Sequence, residues 1–153
     1  MRLEEILAVD AIEVNIGVKD KSELLARMVE LAAKSGRVNN REEVLKDIIE
    51  RERLMSTGIG KGIALPHAKT NGVDDTVGSF VILRDVLDFE SLDGEPVKLA
   101  FMLLGREANV GLHLRILSKI SRILNDDEYK ERILSMGSGM ELIDFFKNLE
   151  EEE

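Results

Sequence analysis

The sequence predicts an α/β fold, a mixed β-sheet flanked by helices in a layered single domain. Segments 76–83 and 97–104 are apolar and partly β-branched, which is typical of buried strands. Several other segments carry apolar residues at helical spacing and begin at a capping residue. Strands and helices are interleaved along the chain rather than grouped. This alternation favours layers of helices covering a sheet.

The elements follow in a clear order. A short helix at 3–7 and a strand at 11–16 open the chain. Two helices come next, one ending at Gly36 and one near Arg53, and a glycine-rich stretch leads to a short extended piece at 63–67. After the two buried strands, which a turn at Asp93-Gly94 separates, helices are predicted at 112–124, at 126–134 and after Ser138. Capping-box spacing marks three helix starts: Asp20 with Glu23, Asn40 with Glu43, and Ser138 with Glu141.

Length and composition restrict the class of protein. The 153 residues suit one domain, which we place at 1–149, followed by an acidic tail at 150–153 that we expect to be solvated and disordered. The net charge of −9 and the low aromatic content of 4% disfavour nucleic acid as a partner. The chain has no cysteine, no apolar run long enough for a membrane span, and no signal-peptide pattern. We therefore expect a soluble cytoplasmic protein with no direct membrane insertion.

The first candidate for chemistry is His67, which follows Pro66 and a loop with three glycines, Gly58, Gly60 and Gly62. Glycines let backbone N–H groups approach an anion closely, and proline stiffens the backbone that enters the histidine. This context suits a histidine that is presented to another molecule. The same glycines are equally compatible with a tight turn into a strand.

The second candidate is His113, near the start of a predicted helix. At ~100° per residue from Leu112, the apolar stripe of this helix spans about 0° to 140°, with His113 at about 100° and Leu114 at about 200°. His113 therefore points inward from the first turn of a helix that follows a buried strand. Helix starts of this type line ligand-binding crevices, and their positive dipole end favours an anion. The alternative is a half-buried histidine bonded to a backbone carbonyl.

Other chemical motifs are absent from the sequence. The glycine spacing fits neither a Walker A loop nor the dinucleotide-binding fingerprint. Two distant histidines without cysteine give no metal-ligand spacing, and Ser56 and Thr57 lack a nucleophile-elbow context. One presented histidine, one inward histidine, a glycine-rich loop and Arg51 at a helix end remain. This set suits the handling of a phosphoryl group on a histidine.

The stretch from Arg51 to His67, RERLMSTGIGKGIALPH, closely resembles the active-site segment of the fructose/mannitol class of enzyme IIA, which includes the nitrogen-regulatory enzyme IIA branch. These are phosphocarrier domains of the bacterial sugar phosphotransferase system. The later piece LDGEPV at 92–97 and the His113-Leu114 pair also resemble the family, so the resemblance covers essentially the whole chain. The segment 105–111 lacks the proline found in many relatives.

The resemblance implies a role for each matching residue. His67 matches the histidine that takes a phosphoryl group from the phosphocarrier HPr and passes it to enzyme IIB of a sugar permease. Arg51 matches the arginine that stabilises the phosphoryl group, and His113 matches the assisting histidine. The loop residues Thr57, Gly58, Gly60 and Gly62 are expected to surround the phosphoryl group through their amides. No cofactor and no metal are implied.

The chemistry of the residues agrees with these implied roles. A nucleophilic histidine must be neutral, and we expect Arg51 to lower the pKa of His67 and so keep the imidazole available. Transfer between protein side chains requires charge neutralisation and an exposed, fairly flat site for docking. We therefore expect a phosphotransferase-system component in sugar uptake. The alternative is a regulatory enzyme IIA-like binding module that controls partner proteins through its phosphorylation state.

Overall fold

The computed structural model describes residues 1–152 as one mixed sheet with helices on both faces. Within this range six strands form the sheet: β1 (Ile12–Ile16), β2 (Gly58–Gly60), β3 (Ile63–Ala64), β4 (His67–Lys69), β5 (Val77–Leu87) and β6 (Val97–Gly105). The helices are α1 (Leu3–Ile6), α2 (Lys21–Ala33), α3 (Arg41–Leu54), α4 (Val110–Leu124), α5 (Asp127–Leu134) and α6 (Gly139–Glu151). The predicted fold class is confirmed. No helix within residues 1–152 is long and apolar enough to cross a membrane.

The strands lie in the order β1-β5-β6-β3-β2, with β4 also paired to β6. The two long central strands, β5 and β6, are antiparallel, whereas β1 is parallel to β5, and both β3 and β4 are parallel to β6. Strand β2 forms an antiparallel hairpin with β3. Parallel and antiparallel pairs therefore share one sheet.

The alternating side chains of β6 show how the sheet separates two hydrophobic cores. Leu99, Phe101 and Leu103 pack on one face with residues of α1, α4, α5 and α6. The even-numbered residues from Ala100 to Leu104 pack on the other face with residues of α2 and α3. A strand that is buried on both faces reads as a continuous apolar run. This explains why the sequence of β6 shows no polar alternation.

Local capping fixes where the helices begin. The side chains of Asp20, Asn40 and Ser138 accept hydrogen bonds from backbone N–H groups three residues later, at 2.8, 3.1 and 3.3 Å. Each bond satisfies an N–H that has no partner inside its helix. The three predicted helix starts are thus confirmed. Asp126 caps α5 in the same way, through the N–H of Tyr129 at 3.0 Å.

A break between β3 and β4 positions the segment that carries His67. Ile63 pairs with Leu99 and His67 pairs with Leu103, so the register is the same on both sides of the break. Pro66 lies in the break and has no N–H to donate, although its carbonyl accepts from the N–H of Leu103 at 2.9 Å. The chain therefore stays beside β6 and delivers His67 to the second half of this central strand.

The expected disorder of the acidic tail is wrong for its first residues. Helix α6 continues to Glu151, and the Glu150 carboxylate is buried against the start of the chain. It accepts hydrogen bonds from the N–H of Leu3 at 2.7 Å and from Nζ of Lys119 at 2.8 Å. These contacts hold Glu150 in the fold. Glu153 lies outside the described residues.

Candidate functional site

His67 is the first residue of β4, and its ring is half-buried. Its Nδ1 lies 2.8 Å from the carbonyl oxygen of Leu65. A carbonyl only accepts hydrogen bonds, so Nδ1 carries the proton and donates it. Nε2 is then the unprotonated nitrogen, with a lone pair available for a new bond.

Arg51, in the last turn of α3, lies on the Nε2 side of the ring. Its Nη2 is 3.4 Å from Nε2 of His67, and its Nη1 is 3.4 Å from the carbonyl oxygen of Met55. A guanidinium can only donate, so this long contact also requires a lone pair on Nε2. Leu65 and Arg51 thus favour the same tautomer from opposite sides of the ring.

His113 lies in the first turn of α4 and is only 4% exposed, while Leu114 is 60% exposed. The inward direction predicted from helical periodicity is confirmed. The rings of His113 and His67 have centroids 5.9 Å apart and are inclined by 50°. Within residues 1–152 neither ring nitrogen of His113 has a hydrogen-bond partner, so the alternative of a bonded backbone carbonyl does not hold. A buried, unpaired imidazole beside a second histidine is suited to meet an incoming polar group.

Gly105 at the end of β6 makes room for the ring of His113. A Cβ atom at this position would lie 2.8 Å from Nδ1 of His113. The close approach therefore requires a glycine. The segment after it forms a 3-10 turn at Glu107–Asn109 and leads directly into α4. This is the conformation that segment 105–111 adopts without the expected proline.

Burial keeps both histidines neutral near pH 7. It is the largest cause of the lowered pKa of His67; the Leu65 carbonyl acts in the opposite direction, and Arg51 lowers this pKa further. The sequence-based expectation named Arg51 as the cause, but loss of solvation is the stronger one. Burial is also the main reason that the pKa of His113 falls to about 4, and the charges of His67 and Lys69 contribute to the lowering.

The two rings and Arg51 line a small cleft of about 210 Å³. The other lining residues are Ala68, Lys69, Val110, Leu114 and Leu117. Val110 and Leu114 are exposed at its rim, with 43% and 60% of their surface accessible. The site is therefore a shallow depression with an apolar rim rather than the flat surface expected from the sequence. Its volume fits a small group rather than a metabolite with several rings.

The structure does not bring the predicted phosphoryl loop into this cleft. Gly58, Gly60 and Gly62 belong to the β2–β3 hairpin, and Thr57 precedes it as a buried residue. A Cβ added at Gly58, Gly60 or Gly62 would first meet Ser91, Asp93 or Pro96, respectively. Gly60 and Gly62 have φ values of +97° and +82°, which L-residues adopt at a cost. The glycines therefore serve the tight turn, the alternative reading of this motif.

Sequence reasoning missed Glu52, which is buried next to Arg51 in α3. Its carboxylate accepts from the N–H of Thr57 at 2.8 Å and from the Thr57 hydroxyl at 2.6 Å. Nζ of Lys21 completes the cluster at 2.8 Å from the carboxylate. The RE pair beside a TG loop was the available signal, but Lys21 lies 31 residues away in the chain, where spacing gives no clue.

No group of three His, Cys, Asp or Glu side chains that could hold a metal ion occurs within residues 1–152. The titratable groups of the cleft are the two histidines, Arg51 and Lys69. This set can neutralise an anion and provide a nitrogen nucleophile.

Comparisons with known proteins place the chain in a family. Residues 5–149 match the model described as "Phosphoenolpyruvate-dependent sugar phosphotransferase system, EIIA 2". The match spans nearly the whole chain, and the chain therefore belongs to this family. It is thus a component of the phosphotransferase-system type, as the resemblance of the segment from Arg51 to His67 implied.

Similar curated proteins carry two kinds of name. The chain is 38% identical over 144 residues to the fructose-specific EIIABC component of Bacillus subtilis, of which it spans only 23%. It is 39% identical to the fructose-specific EIIA component of Haloferax volcanii, with 72% of each chain covered. It is 35% identical to the nitrogen regulatory protein of Bradyrhizobium diazoefficiens, with 87% of this chain and 86% of that protein covered.

Solved structures share the fold. The nitrogen regulatory protein IIA-Ntr of Neisseria meningitidis superposes with a TM-score of 0.84 at 31% identity, covering 94% of this chain and 98% of that one. The complex of enzyme IIA-Mtl with phosphorylated enzyme IIB-Mtl from Escherichia coli matches with a TM-score of 0.79 at 20% identity, covering 94% and 99% of the two chains. This second likeness shows the fold alone.

Proposed function

We propose that the chain is a histidine phosphocarrier in which Nε2 of His67 accepts a phosphoryl group from phospho-HPr and passes it to an enzyme IIB in sugar uptake. One observation supports this most strongly. The lone pair of Nε2 faces Arg51 and lies beside the unpaired His113 in a cleft of about 210 Å³. A nucleophile, a permanently charged guanidinium and an unpaired imidazole thus share one small space.

The reaction needs no proton to leave the ring. The Nε2 lone pair attacks phosphorus, the bond between phosphorus and the donor nitrogen of HPr breaks, and its electron pair returns to the donor imidazole. Nδ1 keeps its proton on the Leu65 carbonyl. The phosphorylated ring is therefore cationic, which makes it a good leaving group when an acceptor attacks.

Arg51 and His113 are proposed to stabilise charge during the transfer. A phosphoryl group in flight carries negative charge on three oxygens, and catalysis depends mainly on positioning and neutralisation. The Arg51 guanidinium, 3.4 Å from Nε2, reaches one side of that group. His113 offers a neutral imidazole N–H from the other layer of helices, and its pKa of about 4 keeps it from adding a full charge at neutral pH.

The proposed partners are HPr as donor and an enzyme IIB as acceptor, meeting in the cytoplasm. The exposed apolar residues at the cleft rim, Val110 and Leu114, support docking of a protein here. The fructose-specific names of two relatives support the sugar branch. Because phosphorus moves directly between side-chain nucleophiles, the transfer proposed for this chain uses no metal or cofactor.

A second candidate function is regulation of partner proteins through the phosphorylation state of His67. The relatives named nitrogen regulatory protein favour it, because they match over most of both chains at 35% and 31% identity. The same chemistry at His67 would then switch binding instead of feeding a permease.

A reconstituted relay tests the proposal and separates its two forms. The protein is incubated with phosphoenolpyruvate, enzyme I and HPr, and then with candidate IIB proteins. We expect one acid-labile phosphoryl group per chain, which moves on to a IIB protein. A stable phosphoprotein that no IIB discharges would select the regulatory candidate. His67→Ala is the matched variant: it should remain folded and accept no phosphoryl group, and a phosphorylated variant would refute the assignment.

A further inference from the structure

We infer that Glu52 is a positioning residue that sets the tautomer and orientation of His67 through Thr57 and Leu65. The inference rests on the proposed function, because it concerns how the same nucleophile is prepared. Glu52 does not line the cleft, and its hydrogen bonds reach His67 through other groups, while its negative charge also acts on the ring through space and raises the pKa of His67. No motif of the sequence assigns it a task.

A continuous path of hydrogen bonds connects the two residues. The Glu52 carboxylate accepts from both the N–H and the hydroxyl of Thr57, at 2.8 and 2.6 Å. The Thr57 carbonyl accepts from the N–H of Leu65 at 2.9 Å. The Leu65 carbonyl then accepts from Nδ1 of His67 at 2.8 Å. Glu52 therefore fixes the residue that holds the proton-bearing side of the nucleophile.

Lys21 is the charged partner that restricts the position of the Glu52 carboxylate. Its Nζ lies 2.8 Å from the Glu52 carboxylate, 3.2 Å from the carbonyl oxygen of Phe89 and 4.3 Å from the centre of the Phe89 ring. The side chain of Glu52 is only 5% exposed, so little water reaches the carboxylate, and the loss of a partner would leave it poorly compensated. Hydrogen bonds to a charged acceptor are short and strong, and Thr57 is accordingly held at two points.

The alternative is that the cluster only stabilises the junction of α2, α3 and the hairpin. A merely structural role predicts a loss of stability with no change in the proton distribution of the His67 ring. A positioning role predicts a change in that distribution even when the protein stays folded. Removing a partner that orients a metal-binding histidine typically changes metal affinity or activity about 10- to 100-fold, and we expect an effect of that order for His67.

Glu52→Gln keeps the shape of the side chain and removes the charge. The chain has only two histidines, so ¹⁵N spectra of histidine-labelled protein report each ring separately. In the wild type we expect His67 to show a protonated Nδ1 and a bare Nε2. In Glu52→Gln we expect a measurable share of the opposite tautomer, and phosphoryl transfer from phospho-HPr about tenfold slower or more.

Glu30→Gln is the matched control. Glu30 pairs with Arg41 at 2.6 Å and also links α2 to α3, but both side chains are more than half exposed. Within residues 1–152 no hydrogen bond connects this pair to His67. This variant should keep the wild-type tautomer and transfer rate. Thr57→Val, which removes only the hydroxyl that binds Glu52, should shift the tautomer in the same direction, and Thr57→Ser should restore it. If Glu52→Gln fails to fold, the comparison of Thr57→Val with Thr57→Ser tests the positioning role by itself.

The outcomes separate this inference from the proposed function. An unchanged His67 tautomer in Glu52→Gln, or in Thr57→Val where the first variant does not fold, would overturn the positioning role. The tautomer is measured without any phosphoryl donor. A wild-type protein that HPr cannot phosphorylate would therefore refute the carrier function while the spectra still decide the role of Glu52.

Discussion

His67 has a hydrogen-bond partner on each side of its ring, and the two partners differ in how firmly they are held. The Leu65 carbonyl belongs to backbone that the hairpin and β6 fix in place. Arg51 extends from the last turn of α3, and its two hydrogen bonds within residues 1–152 are both long, at 3.4 Å. Arg51 is therefore the partner that can move from the ring nitrogen to a phosphoryl oxygen without disturbing the fold.

Arg51→Ala should slow phosphoryl transfer much more than it weakens docking of HPr. Removing one positioned donor to a developing charge typically costs about 100-fold in rate. Rapid-quench kinetics beside a binding titration will measure the two effects. Arg53→Ala, an exposed residue of the same helix turn, is the control and should leave both unchanged. An unchanged rate with a large loss of affinity would make Arg51 a docking residue instead.

His113 should make stability depend on pH in a defined interval. Its pKa is about 4 in the folded protein, against 6.5 for an unperturbed histidine. Between these pH values the unfolded chain binds a proton on this histidine that the folded protein does not. The free energy of unfolding therefore falls as pH decreases from 6.5 to 4, at a rate that corresponds to the uptake of about one proton on unfolding. Above pH 6.5 the effect is absent.

Denaturant titrations of wild type and His113→Gln across pH 4 to 7.5 will test this. Other acid-sensitive groups are common to both proteins and cancel in the difference. The wild-type advantage over the variant should shrink as pH falls through the interval, and a constant difference would contradict the buried neutral state. In the transfer assay this variant should be milder than His113→Ala, because an amide can still donate a hydrogen bond.

At the scale of elements, local signals predict the helices and long-range pairing decides the rest. Asp20, Asn40 and Ser138 each cap the helix that the sequence predicts, because a cap and its partner lie three residues apart. Strand β4 pairs only with a strand more than thirty residues later, so no local pattern reveals it. The hairpin glycines lie outside the cleft lining, and the residues that an added Cβ would meet there, near 91–98, are distant in sequence. Their role towards a phosphoryl group stays a prediction.

Strand β6 ends at Gly105, and this end determines where the ring of His113 lies. Gly105→Ala places a Cβ 2.8 Å from Nδ1 of His113, so the buried ring must shift. We expect slower phosphoryl transfer and a moved His113 signal in histidine-labelled spectra, with the sheet intact. Gly137→Ala is the matched control, because its added Cβ would meet no heavy atom within 4 Å in the described part of the chain, apart from the residue itself and its chain neighbours. Equal transfer rates in both variants would show that the position of His113 is unimportant.

The whole molecule brings the site together from both faces of the sheet. Arg51 comes from the α2/α3 layer, His113 comes from the layer of α4, and His67 lies on the sheet between them. The sequence predicts these three residues by motif and periodicity. It does not predict Glu52, whose burial depends on Lys21 from a different helix. Their catalytic roles stay predictions until transfer is measured.

Glu150 and Lys119 connect α6 to the first residues of the chain without lining the cleft, and we expect these contacts to contribute to stability and not to activity. Glu150 binds the N–H of Leu3, and its ion-pair partner Lys119 also donates to the carbonyl oxygen of Met1 at 3.1 Å. The Glu150 side chain is 4% exposed and that of Lys119 is 24% exposed. Removing the carboxylate leaves a partly buried ammonium and a backbone N–H without their partner.

Glu150→Ala should therefore lower the free energy of unfolding by about 2 kcal/mol, somewhat less than for a fully buried pair because water still reaches Lys119. Glu151→Ala is the control: its side chain is 52% exposed and its contact with Arg2 is 3.9 Å, so the change should stay within about 0.5 kcal/mol. Urea unfolding measures both. Phosphoryl transfer should remain at the wild-type rate in each folded variant, since Glu150 does not line the cleft. A slower rate in Glu150→Ala would show that the joined ends and the cleft are coupled through α4.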